Sequence, residues 1–336
     1  MLQPLRWCLG LLAICLALTV HAQDFESTKR AAQQGDAKAQ FHLGVMYYAG
    51  EGVPRSHAQA AQWFRKAAQQ GLAPAQSNLG SMYEKGQGVA QNHAEAVQWF
   101  RKAAGQGHAA AQFNLGQMLA DGRGAAQSDA QAAQWFRKAA EQGLAQAQFN
   151  LGAMVAEGRG VAQNDAEAMQ WYRKAAQQGL AQAQYNLGVM VANGQGVSPS
   201  DTEAVRWYRE AAQQGFAPAQ NNLGLMVEKG RGTAQNDAEA VQWYRKAADQ
   251  GYAQAQYNLG VRYATGLGVP QNDAQAVPWL RKAAQQGFAD AQYNLAVMYD
   301  EGRGVTRSDA EAVRWYRKAA QQGHAQARAA LKAMGK

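Results

Sequence analysis

The chain has 336 residues, a formal net charge of +8 and two cysteines, Cys8 and Cys15. Because both cysteines lie near the N-terminus, the rest of the chain cannot form a disulfide, a cysteine-ligated metal site or a cysteine nucleophile. The moderate positive charge permits an anionic partner without requiring one.

The N-terminal segment has the pattern of an export signal. An apolar run over residues 7–20 follows a short charged start, and Val-His-Ala precedes Gln23. The run is too short to span a bilayer, so it predicts a secretory signal of residues 1–22, cleaved after Ala22. A lipoprotein signal ending at Cys15 is the alternative, but the isoleucine directly before this cysteine argues against it. We therefore expect an exported protein, periplasmic or secreted, with no transmembrane segment once the leader is removed.

The rest of the chain repeats one phrase with a period of 36 residues. Tryptophan recurs at Trp63, Trp99, Trp135, Trp171, Trp207, Trp243, Trp279 and Trp315, and leucine at Leu43, Leu79, Leu115, Leu151, Leu187, Leu223, Leu259 and Leu295. A period of this size is typical of helix pairs that stack into a solenoid, since one pair cannot bury its apolar face alone.

Each repeat marks the ends of its two helices. The second helix of the pair begins with Ser or Asn, followed three residues later by Glu or Gln, as at Asn164 and Glu167. This spacing predicts a capping box, in which each side chain satisfies the backbone N–H of the other. Glycines end both helices, and the pair Gly158 and Gly160 precedes the second helix. A phosphate-binding loop is disfavoured there, because no strand precedes the glycines and no lysine follows at the required spacing.

These motifs resemble those of the Sel-1-like repeats, which are relatives of the tetratricopeptide repeats. The resemblance is carried by "AQYNLGVM", "GQGV" and "AVRWYREAAQQG", at Ala183–Met190, Gly194–Val197 and Ala204–Gly215, and extends from about Lys29 to the C-terminus. It implies an all-α fold, a right-handed superhelical solenoid of eight 36-residue helix-turn-helix repeats with half-repeat caps. It also implies a scaffold that binds other proteins and has no catalytic residues.

The predicted domain organisation follows from the repeat. Residues 23–35 are expected to form an N-terminal capping half-repeat, residues 36–323 the eight repeats, and residues 324–336 a polar capping helix. Polar terminal helices keep a solenoid soluble, because they cover the apolar face that the end repeats would otherwise expose.

In tetratricopeptide relatives, a stripe on the first helix of each pair lines a concave groove, and the resemblance implies the same surface here. One column of that stripe, the aromatic column, contains Phe41, Phe113, Phe149, Tyr185, Tyr257 and Tyr293, with Ser77 and Asn221 in the other two repeats. Val189 and Leu225 lie one turn further along, and an amide column that includes Asn114, Asn150 and Asn186 runs alongside. An apolar ladder with amides could bind a peptide. Alternatively, the rings pack between repeats and the amides bind carbonyls of neighbouring repeats.

The second helices carry Arg-Lys pairs. The pairs are Arg65-Lys66, Arg101-Lys102, Arg137-Lys138, Arg173-Lys174, Arg245-Lys246, Arg281-Lys282 and Arg317-Lys318. Stacked repeats would align them into a basic ridge for an anionic envelope polymer such as lipopolysaccharide, whereas export disfavours nucleic acid. The alternative is a solvated helix face whose aliphatic stems cover the aromatic residues.

The seventh repeat is irregular at three positions. Arg262 replaces a recurrent methionine, Pro278 lies inside the second helix, and Leu280 replaces the second aromatic residue. One hypothesis is that this repeat bends the solenoid and exposes Arg262 to an acidic group of the partner. Neutral drift in a tolerant repeat is the alternative.

Catalysis is disfavoured by the distribution of reactive side chains. The histidines are scattered, the carboxylates recur mainly at helix starts, and no metal-ligand spacing occurs. We therefore expect an exported, non-enzymatic scaffold without a cofactor, which binds a protein or peptide through its groove. The alternative is a binder of anionic envelope polymer through the basic ridge.

Overall fold

The computed structural model describes residues 25–336, and the predicted export signal, residues 1–22, lies outside this part of the chain. Every regular element between residues 25 and 336 is an α-helix. None of the helices in this range is both long and apolar enough to cross a membrane. The chain divides into two compact units, described here as unit 1, residues 25–164, and unit 2, Asp165–Lys336.

Unit 1 contains eight helices, each packed against its neighbours in sequence. They are α1 at residues 25–33, α2 Ala37–Ala49, α3 His57–Gln69, α4 Ala73–Lys85, α5 His93–Gly105, α6 Ala109–Asp121, α7 Asp129–Glu141 and α8 Ala145–Glu157. Phe25 and Ala32 of α1 pack on Leu43 of α2, and the capping half-repeat expected over residues 23–35 stays a prediction.

Unit 2 continues the same alternation of helices. It contains α9 Asp165–Gln177, α10 Ala181–Asn193, α11 Asp201–Gln213, α12 Ala217–Lys229, α13 Asp237–Asp249, α14 Ala253–Thr265, α15 Asp273–Gln285, α16 Ala289–Glu301, α17 Asp309–Gln321 and α18 Ala325–Ala333. The even-numbered helices α2–α16 are the first helices of the repeats, and the odd-numbered helices α3–α17 are the second helices. Each unit is thus an all-α stack of helix pairs, as the sequence predicts.

The second helices begin with half of the predicted capping box. The side chain of Ser200 accepts the N–H of Glu203 at 3.3 Å, and equivalent caps begin α3, α5, α7, α13, α15 and α17. The predicted reciprocal bond is wrong. The N–H of Ser200 donates instead to the carbonyl of Val191 in the preceding helix, and the Glu203 carboxylate accepts the indole N–H of Trp207 at 3.3 Å. The backbone carbonyl that the turn brings close therefore accepts the N-cap N–H in place of the Glu203 carboxylate.

The second glycine of each turn lies against the backbone of the preceding repeat. Gly160 has φ +68°, and a Cβ added to it would lie 2.3 Å from the carbonyl carbon of Asp129, at the start of α7. Every residue other than glycine is excluded there, because its Cβ would meet backbone atoms that cannot move aside. This contact fixes how closely one repeat approaches the next within unit 1.

A buried glutamine on every first helix bonds to the end of the helix before it, and Gln112 also shows a bond to the second helix that follows. Gln112 is 4% exposed; it donates to the carbonyl of Ala104 in α5 at 3.2 Å and accepts from Gln142, after α7, at 2.7 Å. The same donation joins Gln40 to Ala32, Gln76 to Ala68, Gln148 to Ala140, Gln184 to Ala176, Gln220 to Ala212, Gln256 to Ala248 and Gln292 to Ala284. Each buried amide is a second donor to a helix-end carbonyl that also accepts the N–H of the glycine three residues on, and it ties the next first helix to that helix end.

We expect Gly160→Ala to destabilise the protein more than Gly143→Ala. Both glycines have positive φ, but nothing lies within 4 Å of a Cβ added at Gly143. The control variant, Gly143→Ala, should therefore lower the free energy of unfolding only by the strain of a left-handed alanine, about 1–2 kcal/mol. Gly160→Ala should add a backbone clash of roughly 1–3 kcal/mol. Urea unfolding measures the difference, and equal losses in the two variants would show that the close approach contributes nothing.

We also expect α6 to lose its N-terminal cap at acidic pH. His108 is the N-cap, and its Nδ1 accepts the N–H of Ala111 at 3.3 Å. Burial lowers the pKa of His108 below its ordinary 6.5. The unfolded chain therefore binds more protons at this residue, and its contribution to stability is lost as pH falls through the range below 6.5. In His108→Asn the cap does not titrate, so its melting temperature should fall less between pH 7.5 and pH 5. An equal fall in melting temperature for the two proteins would contradict this assignment.

Candidate functional site

The aromatic column lies partly exposed on the first helices. The ring of Phe113 is half-buried and its centroid lies 5.7 Å from that of Phe136 on the paired second helix. In unit 2, Tyr185 lies 5.9 Å from Tyr208 and 5.4 Å from Phe216. Phe41, Phe149, Tyr257 and Tyr293 are half-buried in the same way. These rings pack on one side against neighbouring aromatic residues and leave the rest of their surface accessible, and peptide binding by this column stays a prediction.

Hydroxyl and amide groups connect successive first helices in unit 2. The side chain of Asn222 lies close to the Tyr185 hydroxyl, and that of Asn294 lies close to the Tyr257 hydroxyl. Burial raises the pKa of both tyrosines above the ordinary value, so their hydroxyls remain protonated at neutral pH. Asn258 donates to the side chain of Asn221 at 2.9 Å. Asn258 thus bonds a side chain of the neighbouring repeat, whereas one of the two alternatives drawn from the sequence gave the amides a carbonyl partner there.

The remaining residues of the predicted groove lie on the same helices. Asn114, Asn150, Asn186, Val189 and Leu225 are all half-buried. We call the surface formed by these residues and the aromatic column the first-helix face, considered separately in unit 1 and unit 2. Its composition is aromatic and aliphatic with amide groups, which suits an extended peptide backbone with apolar side chains.

Two pockets open at equivalent places between successive first helices. The α2–α4 socket, of about 220 Å³, is lined by residues that include Tyr48, Phe64, Asn78, Ser81, Lys85 and Gln87. The α14–α16 socket, of about 180 Å³, is lined by residues that include Val261, Thr265, Leu280, Asn294, Val297 and Met298. In each socket one lining residue comes from the second helix between them, either Phe64 or Leu280. Nothing in the repeated sequence pattern predicts these pockets.

The basic ridge is largely engaged within the protein. The ammonium groups of Lys102, Lys138 and Lys174 lie over the rings of Trp99, Trp135 and Trp171, at 4.3, 4.2 and 4.2 Å from their centroids. Arg173 pairs with Glu203 at 3.4 Å, whereas Arg101 is exposed and Arg137 is half-buried. Cation–π contacts of this kind stabilise the exposed side of the indole rings.

Arg262 does not face a partner, and the hypothesis of an exposed arginine is wrong. Its side chain is 12% exposed and forms an ion pair with Glu228 of the preceding repeat. Glu228 also accepts the hydroxyl of Tyr244 at 2.6 Å, and burial together with this bond raises the pKa of Tyr244. Helix α15 is continuous through Pro278, and the bend predicted there stays a prediction.

Potential metal ligands do not cluster in the described residues. Between residues 25 and 336 there is no group of three or more His, Cys, Asp or Glu side chains arranged to hold a metal ion. Histidines instead serve local structure: the Nδ1 atoms of His108 and His324 cap α6 and α18.

Removing the Arg262 guanidinium should destabilise the protein through the carboxylate that it leaves behind. We expect Arg262→Met to cost about 3 kcal/mol, because Glu228 is then buried without its cation. The triple variant Glu228→Ala, Tyr244→Phe, Arg262→Met installs residues that other repeats carry at these positions. It should unfold within about 1 kcal/mol of the original protein in urea, or be more stable. If the triple variant is as unstable as Arg262→Met, the three side chains cannot be exchanged together for those of the other repeats.

Comparison with known proteins identifies the repeat. The Sel1 repeat matches eight times, at residues 37–72, 73–108, 109–144, 145–180, 181–216, 217–252, 253–288 and 289–324. A comparison with curated proteins gives no match. The structure is similar to that of c5321, a protective antigen of uropathogenic Escherichia coli strains with an SLR fold. The TM-score is 0.86 at 40% identity, over 92% of this chain and 67% of that chain.

A second solved structure is similar along nearly its whole length. It is a Sel1 repeat protein from Oxalobacter formigenes, with a TM-score of 0.71 and 35% identity, over 94% of this chain and 93% of that chain. The family match covers most of the sequence, and its eight repeats agree with the helix pairs described above. The chain therefore belongs to the Sel1 repeat family, whose helical solenoids are protein-interaction scaffolds.

Proposed function

We propose that the protein is an exported, non-enzymatic scaffold that binds a protein or peptide partner through its first-helix face. The observation that carries this proposal is the partial exposure of the aromatic column beside amide groups. Rings held on one side by packing are already ordered, so a ligand that covers the other side costs little further side-chain entropy. Export is supported by the sequence of residues 1–22, and the similar E. coli protein is described as a protective antigen.

Binding of an anionic polymer by the basic ridge is the weaker alternative. Its lysines lie over tryptophan rings, and Arg173 is already paired with Glu203. A polyanion would have to compete with these contacts. Its affinity would fall steeply with salt, because polyanion binding depends on counterion release, whereas apolar contacts depend less on salt.

The experiment is capture of partners from envelope extract and culture medium on the immobilised protein, with elution by rising salt. The test variant is Tyr185→Asn with Tyr257→Asn, because Asn221 already occupies that column in the intervening repeat. The control variant replaces Arg101, Lys102, Arg137 and Lys138 by Gln. We expect a protein that resists high salt, is retained by the control and is lost from the tyrosine variant.

Two results would contradict the proposal. One is retention of the same protein by the tyrosine variant, provided that its circular dichroism spectrum and melting temperature match the original. The other is capture of polyanion alone, released at moderate salt and abolished by the glutamine variant, which would assign binding to the basic ridge.

A further inference from the structure

The α14–α16 socket differs from its surroundings in shape and chemistry. Its volume of about 180 Å³ is close to that of protein cavities of about 150 Å³ that hold a benzene-sized molecule. The lining side chains of Val261, Leu280, Val297 and Met298 are aliphatic, and the polar groups are those of Thr265, Asn294 and Arg303. The Thr265 hydroxyl donates to the carbonyl of Val261 in its own helix at 2.9 Å. The pocket thus matches the volume of one medium-sized apolar side chain.

The socket has this shape partly because of Leu280. In most repeats a phenylalanine or tyrosine stands at this position of the second helix, as Phe136 and Tyr244 do. Leu280 packs against Gly260 of α14, where an added Cβ would lie 2.8 Å from the leucine side chain. An aliphatic side chain lacks the flat ring and, unlike tyrosine, brings no hydroxyl into the space between α14 and α16. The irregular residue of the seventh repeat therefore gives this socket an aliphatic lining.

The helix that forms one wall of the socket is acidic, although the chain as a whole is basic. Helix α16 carries Asp290, Asp300 and Glu301 and has no Lys or Arg. Asp290 is 56% exposed and Glu301 is 54% exposed, and their ion-pair partners are His324 at 3.3 Å and Arg303 at 3.5 Å. Arg303 is shared, since it also pairs with Asp273 at 3.0 Å.

The α2–α4 socket offers an internal comparison with different charge. Its lining includes Lys85 and Gln87. The nearby Glu84 is paired with Arg123 at 2.8 Å. The α2–α4 socket thus has Lys85 at the position where helix α16 carries Glu301, although the two sockets have similar volumes. Charge rather than size distinguishes the two sockets.

We propose that the α14–α16 socket binds one apolar side chain, of the size of leucine or methionine, from a peptide segment in which Lys or Arg flanks that residue. The apolar side chain enters between Val297 and Leu280, and the flanking cations lie near Asp290 and Glu301. The inference rests on the proposed function, because it specifies the chemistry of a ligand of the first-helix face. It assigns selectivity to the seventh and eighth repeats.

The test uses synthetic peptides and methyl NMR of the full chain labelled at Val, Leu and Met methyl groups. The probe is acetyl-Gly-Lys-Lys-Leu-Lys-Lys-Gly-amide. The two comparison peptides replace its leucine by alanine or its lysines by glutamates. We expect the probe to shift the Met298 and Val297 methyl resonances, with a dissociation constant about tenfold or more below that of the alanine peptide. The glutamate peptide should bind more weakly still, because the flanking carboxylates repel it.

Matched variants locate the effect. Val297→Phe should fill the α14–α16 socket and weaken binding of the probe at least tenfold. Ser81→Phe introduces the same side chain at the equivalent position of the α2–α4 socket and should leave binding of the probe unchanged. The Met82 methyl of that socket reports any binding there, and it should shift less than Met298. Equal shifts at Met82 and Met298, equal affinity for the leucine and alanine peptides, or full binding by a folded Val297→Phe variant would each overturn the assignment.

The two proposals fail in different ways. If a captured protein is lost from the tyrosine variant but binds Val297→Phe normally, the first-helix face binds a partner and the socket assignment is wrong. If the leucine peptide binds the socket and no salt-resistant protein is captured, the socket assignment holds and the proposed function in partner binding fails.

Discussion

The contact that the rest of most repeats depends on is the packing of one aromatic side chain against a glycine on the paired helix. Leu280 replaces the ring in the seventh repeat, and Ala296 replaces the glycine in the eighth. In the third repeat, a Cβ added at Gly116 would lie 2.8 Å from the ring of Phe136. The glycine lets the two helices approach until the ring is 3% exposed. That approach sets the distance between the two helices of the pair, and Phe113 of the aromatic column packs on the outer side of the same ring. The first-helix face is therefore a consequence of core packing as well as a candidate for binding.

Polar groups are arranged so that the stacked repeats leave few helix ends unsatisfied. The buried glutamines bind the last carbonyls of the preceding second helix. The N-cap residues bind carbonyls of the preceding first helix, and this frees the next carboxylate to hold a tryptophan indole. Lysine then covers the indole ring from outside. This chain of contacts explains why the second helices, although rich in cations, offer a partner few side chains without a role in the fold.

Specificity in a repetitive chain has to come from positions where one repeat departs from the others. The sixth and seventh repeats contain a buried ion pair, Glu228 with Arg262, in place of an apolar contact. The seventh also has a leucine in place of a ring, and the eighth carries an acidic first helix. These departures change the volume and charge of the surface without altering the backbone pattern, because the turn glycines and the buried glutamines are retained in these repeats. A repeated fold can thus provide a local site while its packing stays uniform.

The sequence by itself determined the fold class, the number of repeats and the ends of the helices. Periodic tryptophans, leucines and glycines report local needs, such as a cap, a left-handed turn or an apolar face, and these are the same in every repeat. Only the tertiary structure decided which groups meet across repeats. It placed Arg262 beside Glu228 and gave the N-cap N–H a carbonyl partner. It also made Gln112, which recurs in every repeat, a link between three helices, and it opened the sockets between first helices. The physical reason is that the ion pair and the Gln112–Gln142 bond join residues 34 and 30 positions apart, and that the sockets depend on the volume left between helices. The carbonyl partner of the N-cap N–H is closer in the chain, but it is in reach only once the turn has folded.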